Sequence, residues 1–281
     1  MPQTNRWSPV EPDWETVLTK FSNPIRALAE METPAVVIRD AYPPEHCQGL
    51  IQRFTQMGLI FDQNARHDDA SVVPPERIDI GTSLGNRGNS PEAFFAHAQE
   101  THKLFETLFD GFINPVTVLY DALKKLAPGK RVVTAYERDG RLYGPAIFRV
   151  HYGGYAYVPH FDSVRWREHR VNYEVYRFEH QFAGLICFQN SEIAGETAQA
   201  IIHRCLWQPE IDPHIKQKTF HQYTADQHIE KARVDLVPGD LYFFNTRCIH
   251  EVPGVKGKAP RIVLAIFIGY SPDDDEVFVW S

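Results

Sequence analysis

The sequence is poor in cysteine. Four residues, Cys47, Cys187, Cys205 and Cys248, are scattered along 281 positions, and no two form a C-x-x-C pair. That spacing excludes a disulfide scaffold and a zinc ribbon. Long apolar runs are missing too: the longest, 262–268, is far too short to span a bilayer. Residues 1–7 lack the apolar stretch of a secretory signal. These shortages predict a cytoplasmic protein with no membrane partner. Positive charge is also in deficit, with 29 Lys and Arg against 36 Asp and Glu and a net charge of −7. A basic surface of the kind nucleic acids require is therefore not expected.

Other residues are plentiful. Aromatic residues make up 12%, and the 20 prolines outnumber the 17 glycines. Both features suit a β-rich fold with long loops better than a helix bundle. The 13 histidines make a metal site worth seeking. No internal repeat or flexible linker divides the chain, which reads as one domain, 1–281.

Apolar spacing predicts a helix over 12–31, interrupted at Pro24, then a buried strand over 34–40 and a helix over 43–54. Residues 60–90 read as loops, with a strand at 77–83. Residues 91–127 form the strongest helical stretch, split at Asn114 and Pro115. After residue 130 short apolar runs alternate with turns: 132–136, 147–152, 185–189, 200–206, 234–236, 241–244 and 261–270. The expected architecture is α+β with a mainly β core: a helical support region over about 1–130 and a sandwich or barrel over about 131–281.

The chemistry concentrates in the stretch 153–162, which ends His160-Phe161-Asp162. In a strand, residues i and i+2 share a face, so His160 and Asp162 point the same way. His250, expected just after the strand at 241–244, is the best candidate for a third ligand. Two histidines and a carboxylate on one face of a metal form the facial triad of non-haem Fe(II) oxygenases. Taken alone, H-x-D is weak evidence and more often marks structural or solvated residues. Arg261 lies eleven positions after His250 and opens the most apolar run of the chain. A guanidinium there needs a partner, either an acid of the chain or the carboxylate of a ligand.

The ordered set of H-x-D, the run 239–244, a distal His and an Arg eleven residues on resembles the Fe(II)/2-oxoglutarate-dependent dioxygenases, closest in style to their prolyl-hydroxylase-like members. Leu185 to Asn190 and Ala194 to Thr197 resemble the family's middle strand and its G-G-E-T turn. The likeness covers roughly 145–271. It implies a double-stranded β-helix, a jelly-roll relative, with the N-terminal helices packed on it. It further implies Fe(II), 2-oxoglutarate and O₂ as cofactor and co-substrates. His160, Asp162 and His250 become the metal ligands, and Arg261 the partner of the 2-oxoglutarate distal carboxylate. Tyr152 or Tyr157 is expected to donate a hydrogen bond to the same co-substrate.

The sequence departs from the pattern in places. Val263 stands where many members carry Ser or Thr, His151 occupies the usual tyrosine position with Tyr152 beside it, and Ala194 replaces a glycine. Related halogenases replace the metal-binding carboxylate with a small residue, so Asp162 disfavours halogenation. The implied reaction is oxidation of a C–H bond of a small metabolite, such as an amino acid or natural-product scaffold. Hydroxylation leads, with desaturation or cyclisation as variants. A protein side-chain hydroxylase and a non-catalytic cupin-like metal-binding module are the alternatives. Arg165 and Trp166, on the loop leaving Asp162, and Arg77, in the stretch 71–86, are candidate substrate contacts. Seven-residue spacing of His214, His221 and His228 offers a weaker second metal motif, which Pro213 opposes.

Overall fold

The computed structural model describes residues 7–62 and 75–281. Among them lie helices α1 (Trp14–Lys20), α2 (Pro24–Ala29), α3 (Pro44–Gln56), α4 (Leu84–Arg87), α5 (Pro91–Leu108), α6 (Pro115–Leu126), α7 (Asp212–Lys216) and α8 (Phe220–Asp226). The strands are β1 (Ala35–Ile38), β2 (Arg77–Gly81), β3 (Arg131–Thr134), β4 (Ile147–His151), β5 (Tyr157–His160), β6 (His180–Gln189), β7 (Glu192–Ile193), β8 (Glu196–Thr197), β9 (Ala200–Leu206), β10 (Lys231–Val234), β11 (Leu241–Asn245), β12 (Cys248–Val252), β13 (Arg261–Tyr270) and β14 (Glu276–Trp280).

The helix breaks follow local chemistry. Asn23 caps α2 and Asn114 caps α6, each side chain accepting from backbone N–H groups of the first turn, and each cap is followed by a proline.

The β core is an α+β jelly roll of two facing sheets. The larger runs β1-β11-β6-β13-β14-β3, with β4 pairing both β13 and β2. The smaller runs β10-β9-β12-β5. Strand alternation sorts the residues of β4, β6, β11 and β13 into two layers. Phe148, Val150, Phe182, Ile186, Leu241, Phe243, Ile262 and Leu264 face outward and form one core with α3, α5 and α6. Ala183, Cys187, Tyr242 and Phe244 face inward and meet Ala200, Ile202, Cys248 and Val252 of the smaller sheet. On the far side of that smaller sheet, Ile211 in the turn before α7 and Phe220 on α8 cover Cys205 and Ile249.

Some elements differ from expectation. The run at 185–189 is only the second half of β6, and 234–236 overlaps only the end of β10. His250 follows β11 as expected but sits in the middle of a further strand, β12, because the chain turns at Thr246 and Arg247 from the larger sheet into the smaller. β14, after an Asp-rich turn at 273–275, was not anticipated. All four cysteines are free and buried. No helix among the described residues is long and apolar enough to cross a membrane.

Candidate metal centre and co-substrate pocket

β5 and β12 are antiparallel neighbours with His160 directly opposite His250. β5 ends at His160, so Asp162 lies two residues beyond the strand. Its backbone is nevertheless fixed: Asp162 N donates to Thr246 O (2.9 Å), and Thr246 Oγ1 donates to Asp162 O (2.9 Å). One ligand atom from each of His160, Asp162 and His250 lies within 4.8 Å of the others. Asp162 Oδ2 stands 3.5 Å from His250 Nε2 and 3.8 Å from His160 Nε2.

The donor set is prepared for a cation. His160 Nδ1 donates to Val158 O (2.7 Å) and His250 Nδ1 to Cys248 O (2.8 Å), each reaching the carbonyl two residues back. With the proton held on Nδ1, both Nε2 atoms present lone pairs to the centre. Arg167 donates to Asp162 Oδ1 (2.9 Å) and to Phe161 O (2.7 Å), which leaves Oδ2 facing the histidines. Burial pushes His160 down to about 4, helped by the adjacent His250, so the imidazole is neutral. Burial tends to raise the Asp162 carboxyl, but the facing His250 and His160, which turn cationic only at low pH, and the Arg167 guanidinium outweigh it and hold it well below the carboxylate range. These residues suit a borderline divalent metal such as Fe(II).

The three residues open into an inner pocket between the sheets, walled by Leu185, Tyr242, Phe244 and Val263. Arg261 is 7% exposed and lines it, opposite His151 in the β13–β4 register. Tyr157 lines it as well, with its hydroxyl 2.9 Å from His151 Nε2. Tyr152 does not. It falls on the other face of the strand, inside the helix-side core, where its hydroxyl accepts from Phe61 N at 3.0 Å. The period of two that turns His151 inward turns Tyr152 outward.

Arg149 and His151 are pocket residues that the motif reading missed. The available signal was periodicity: if Phe148 and Val150 pack outward, the residues flanking Val150 must face the sheet interior. Burial, then the cations Arg261, Arg149 and Arg77, depress His151 to about 2.

A second cavity, outside the first, is bordered by His160, Asp162, Arg77, Asn86, Arg149, Tyr157 and Arg167. Arg77 is therefore at the rim as expected, but it is engaged by Asp79 through Nε (2.7 Å) and Nη2 (2.6 Å). Residues 71–74 of the proposed rim lie outside the described residues. Arg165 and Trp166 line neither cavity: Arg165 lies over the Trp166 ring at 5.1 Å, and Trp166 is 40% exposed. The loop turns so that Arg167, not Arg165, reaches Asp162.

His214, His221 and His228 do not align. They fall on α7, on α8 and in a left-handed turn beyond it. His221 instead approaches Glu251 (3.3 Å), which also pairs with the buried His203 (3.0 Å) on the outer face of the smaller sheet.

In sequence, residues 10–281 match the family described as carrier-protein-independent halogenase WelO5. No curated protein matches the chain. Among solved structures, the fold is similar to an N-substituted L-amino acid dioxygenase from Burkholderia ambifaria AMMD (16% identity, TM-score 0.60, covering 92% of this chain and 90% of that one). The same Burkholderia enzyme in complex with alpha-KG gives 18% identity and a TM-score of 0.57 over 92% and 90%. The chain belongs to the carrier-protein-independent halogenase WelO5 family, and with it to the non-haem iron, 2-oxoglutarate-dependent oxygenases.

Proposed function

We propose that the protein hydroxylates a C–H bond of a small, amino-acid-sized metabolite, using Fe(II), 2-oxoglutarate and O₂, and does not halogenate it. The carboxylate of Asp162, with Oδ2 turned toward both Nε2 atoms, carries this reading. A halide needs the coordination position that this carboxylate takes. The family's description is thus set aside at one residue, while its metal chemistry is kept. That the same fold houses an amino acid dioxygenase supports the substrate size.

His160 Nε2, Asp162 Oδ2 and His250 Nε2 would hold the iron, leaving three positions open. Iron and 2-oxoglutarate, when bound, supply oxidation of the substrate coupled to loss of CO₂ and formation of succinate. The chain's own residues bind and orient. Arg261, buried at the end of an apolar wall, neutralises the distal carboxylate of the co-substrate. The Tyr157 hydroxyl, steadied by His151, supplies the polar contact that Val263 cannot. Leu185, Tyr242 and Phe244 keep water out. Residues 1–281 act as one domain, and four free thiols suit a reducing, cytoplasmic setting.

The test is succinate formation with Fe(II), 2-oxoglutarate and a panel of small candidates, with and without chloride. Products gain oxygen and never chlorine. His160→Ala and His250→Ala each lose at least about a hundredfold in rate and lose bound iron. Arg261→Ala mainly raises KM for 2-oxoglutarate. Full turnover in either histidine variant sinks the assignment. Metal binding without any succinate in the wild type favours the non-catalytic alternative.

A further inference from the structure

The pocket holds a cation that the assigned ligands leave unused. Arg149 Nε is buried without a partner, as are Arg261 Nε and His151 Nδ1, and neither arginine has a carboxylate partner among the described residues. On the reading proposed above, Arg261 meets the distal carboxylate of the co-substrate, and Asp162 is already engaged by Arg167. Arg149 is left to be met by a carboxylate of a ligand, and an unpaired buried guanidinium is costly.

The two arginines occupy different places. Arg261 lines only the inner pocket. Arg149, opposite Val263 in the β4–β13 register, lines the inner pocket and the outer cavity together with His160 and Asp162, and its guanidinium lies 5.9 Å from the Phe267 ring. It thus borders both cavities, as His160 and Asp162 do. The family's second contact at position 263 is a neutral hydroxyl on the arginine's own strand, and here that position is Val263, unable to donate. We propose that Arg149 is a second carboxylate-binding residue of the pocket, acting at the metal end while Arg261 acts at the far end. The carboxylate is either the 1-carboxylate of the co-substrate or one carried by the substrate. In both cases the planar guanidinium matches it with paired hydrogen bonds.

Calorimetric titration of metal-loaded protein without O₂ separates the cases. The probes are 2-oxoglutarate and 2-oxopentanoate, which keeps the 1-carboxylate and keto group but lacks the distal carboxylate. Wild-type protein that binds neither probe overturns the pocket reading and this proposal together. If Arg149 holds the 1-carboxylate, Arg149→Met weakens both probes by about tenfold or more, while Arg261→Met weakens 2-oxoglutarate alone. If it holds a substrate carboxylate, both probes bind Arg149→Met normally. Hexanoate added to the 2-oxoglutarate complex then binds wild type but not Arg149→Met, and hexanamide binds neither. Arg149→Lys restores part of whichever affinity is lost, and unchanged circular dichroism shows that the variants fold. Arg149→Met within about twofold of wild type for 2-oxoglutarate, 2-oxopentanoate and hexanoate alike overturns the proposal while leaving the pocket reading intact.

Discussion

His151 shows how a single side chain reports its surroundings. Buried and facing Arg261 and Arg149, it stays neutral in the fold down to about 2, whereas in the unfolded chain it protonates near its ordinary value of 6.5. Between those values the unfolded state binds the extra proton. Stability contributed by the neutral imidazole is therefore present above about pH 6.5 and lost as pH falls. His160, lowered to about 4, acts in the same direction. Metal-free protein should show a urea midpoint that drops between about pH 7 and about pH 5, and His151→Asn should flatten that drop. An equal slope in the variant would assign the loss to other groups. The same residue marks the limit of sequence reading. His160, Asp162, His250 and Arg261 were legible because their order and spacing are tied to one chemistry. Arg149 and His151 were not, because nothing local says which face of a strand is the inner one; of the two expected tyrosines, Tyr152 falls outside the pocket for that reason.

Among the elements, β5 and β12 matter most, since their pairing sets His160 against His250. The turns beside them also touch. A Cβ on Gly254 would fall 2.0 Å from the backbone oxygen of Gly154, itself in a left-handed turn with φ of +80°. Backbone cannot yield as a flexible side chain does, so Gly254→Ala must push the two turns apart. We expect a loss of about 1–3 kcal/mol in denaturant melts, together with weaker iron binding. A variant as stable as wild type would mean that the turns separate freely. The longer helices were readable because caps and prolines mark their ends, as at Asn114 and Pro115, whereas the short α4, α7 and α8 were not. β12 was harder to place. Its five residues are all buried, so they show no amphipathic contrast, and only the passage from one sheet to the other defines it.

For the whole molecule, the helices act as a buttress behind the larger sheet. Phe148 is fully buried, with its ring 4.8 Å from that of Phe54 and 5.1 Å from that of Phe188. Phe148→Ala should cost about 3–5 kcal/mol and lower Tm, while succinate formation below the new Tm keeps its KM for 2-oxoglutarate. A changed KM with unchanged Tm would mean that the outer layer shapes the pocket directly. Two flanking residues of the same strand serve the opposite layer, and that alternation restricts how the pocket can be altered. One residue inserted in β4 would rotate Arg149 and His151 into the grease around Phe54 and present Phe148 and Val150 to the metal. Any library meant to redirect this protein should vary the identity of inward positions and keep strand lengths fixed, reserving insertions and deletions for exposed connections such as 138–142.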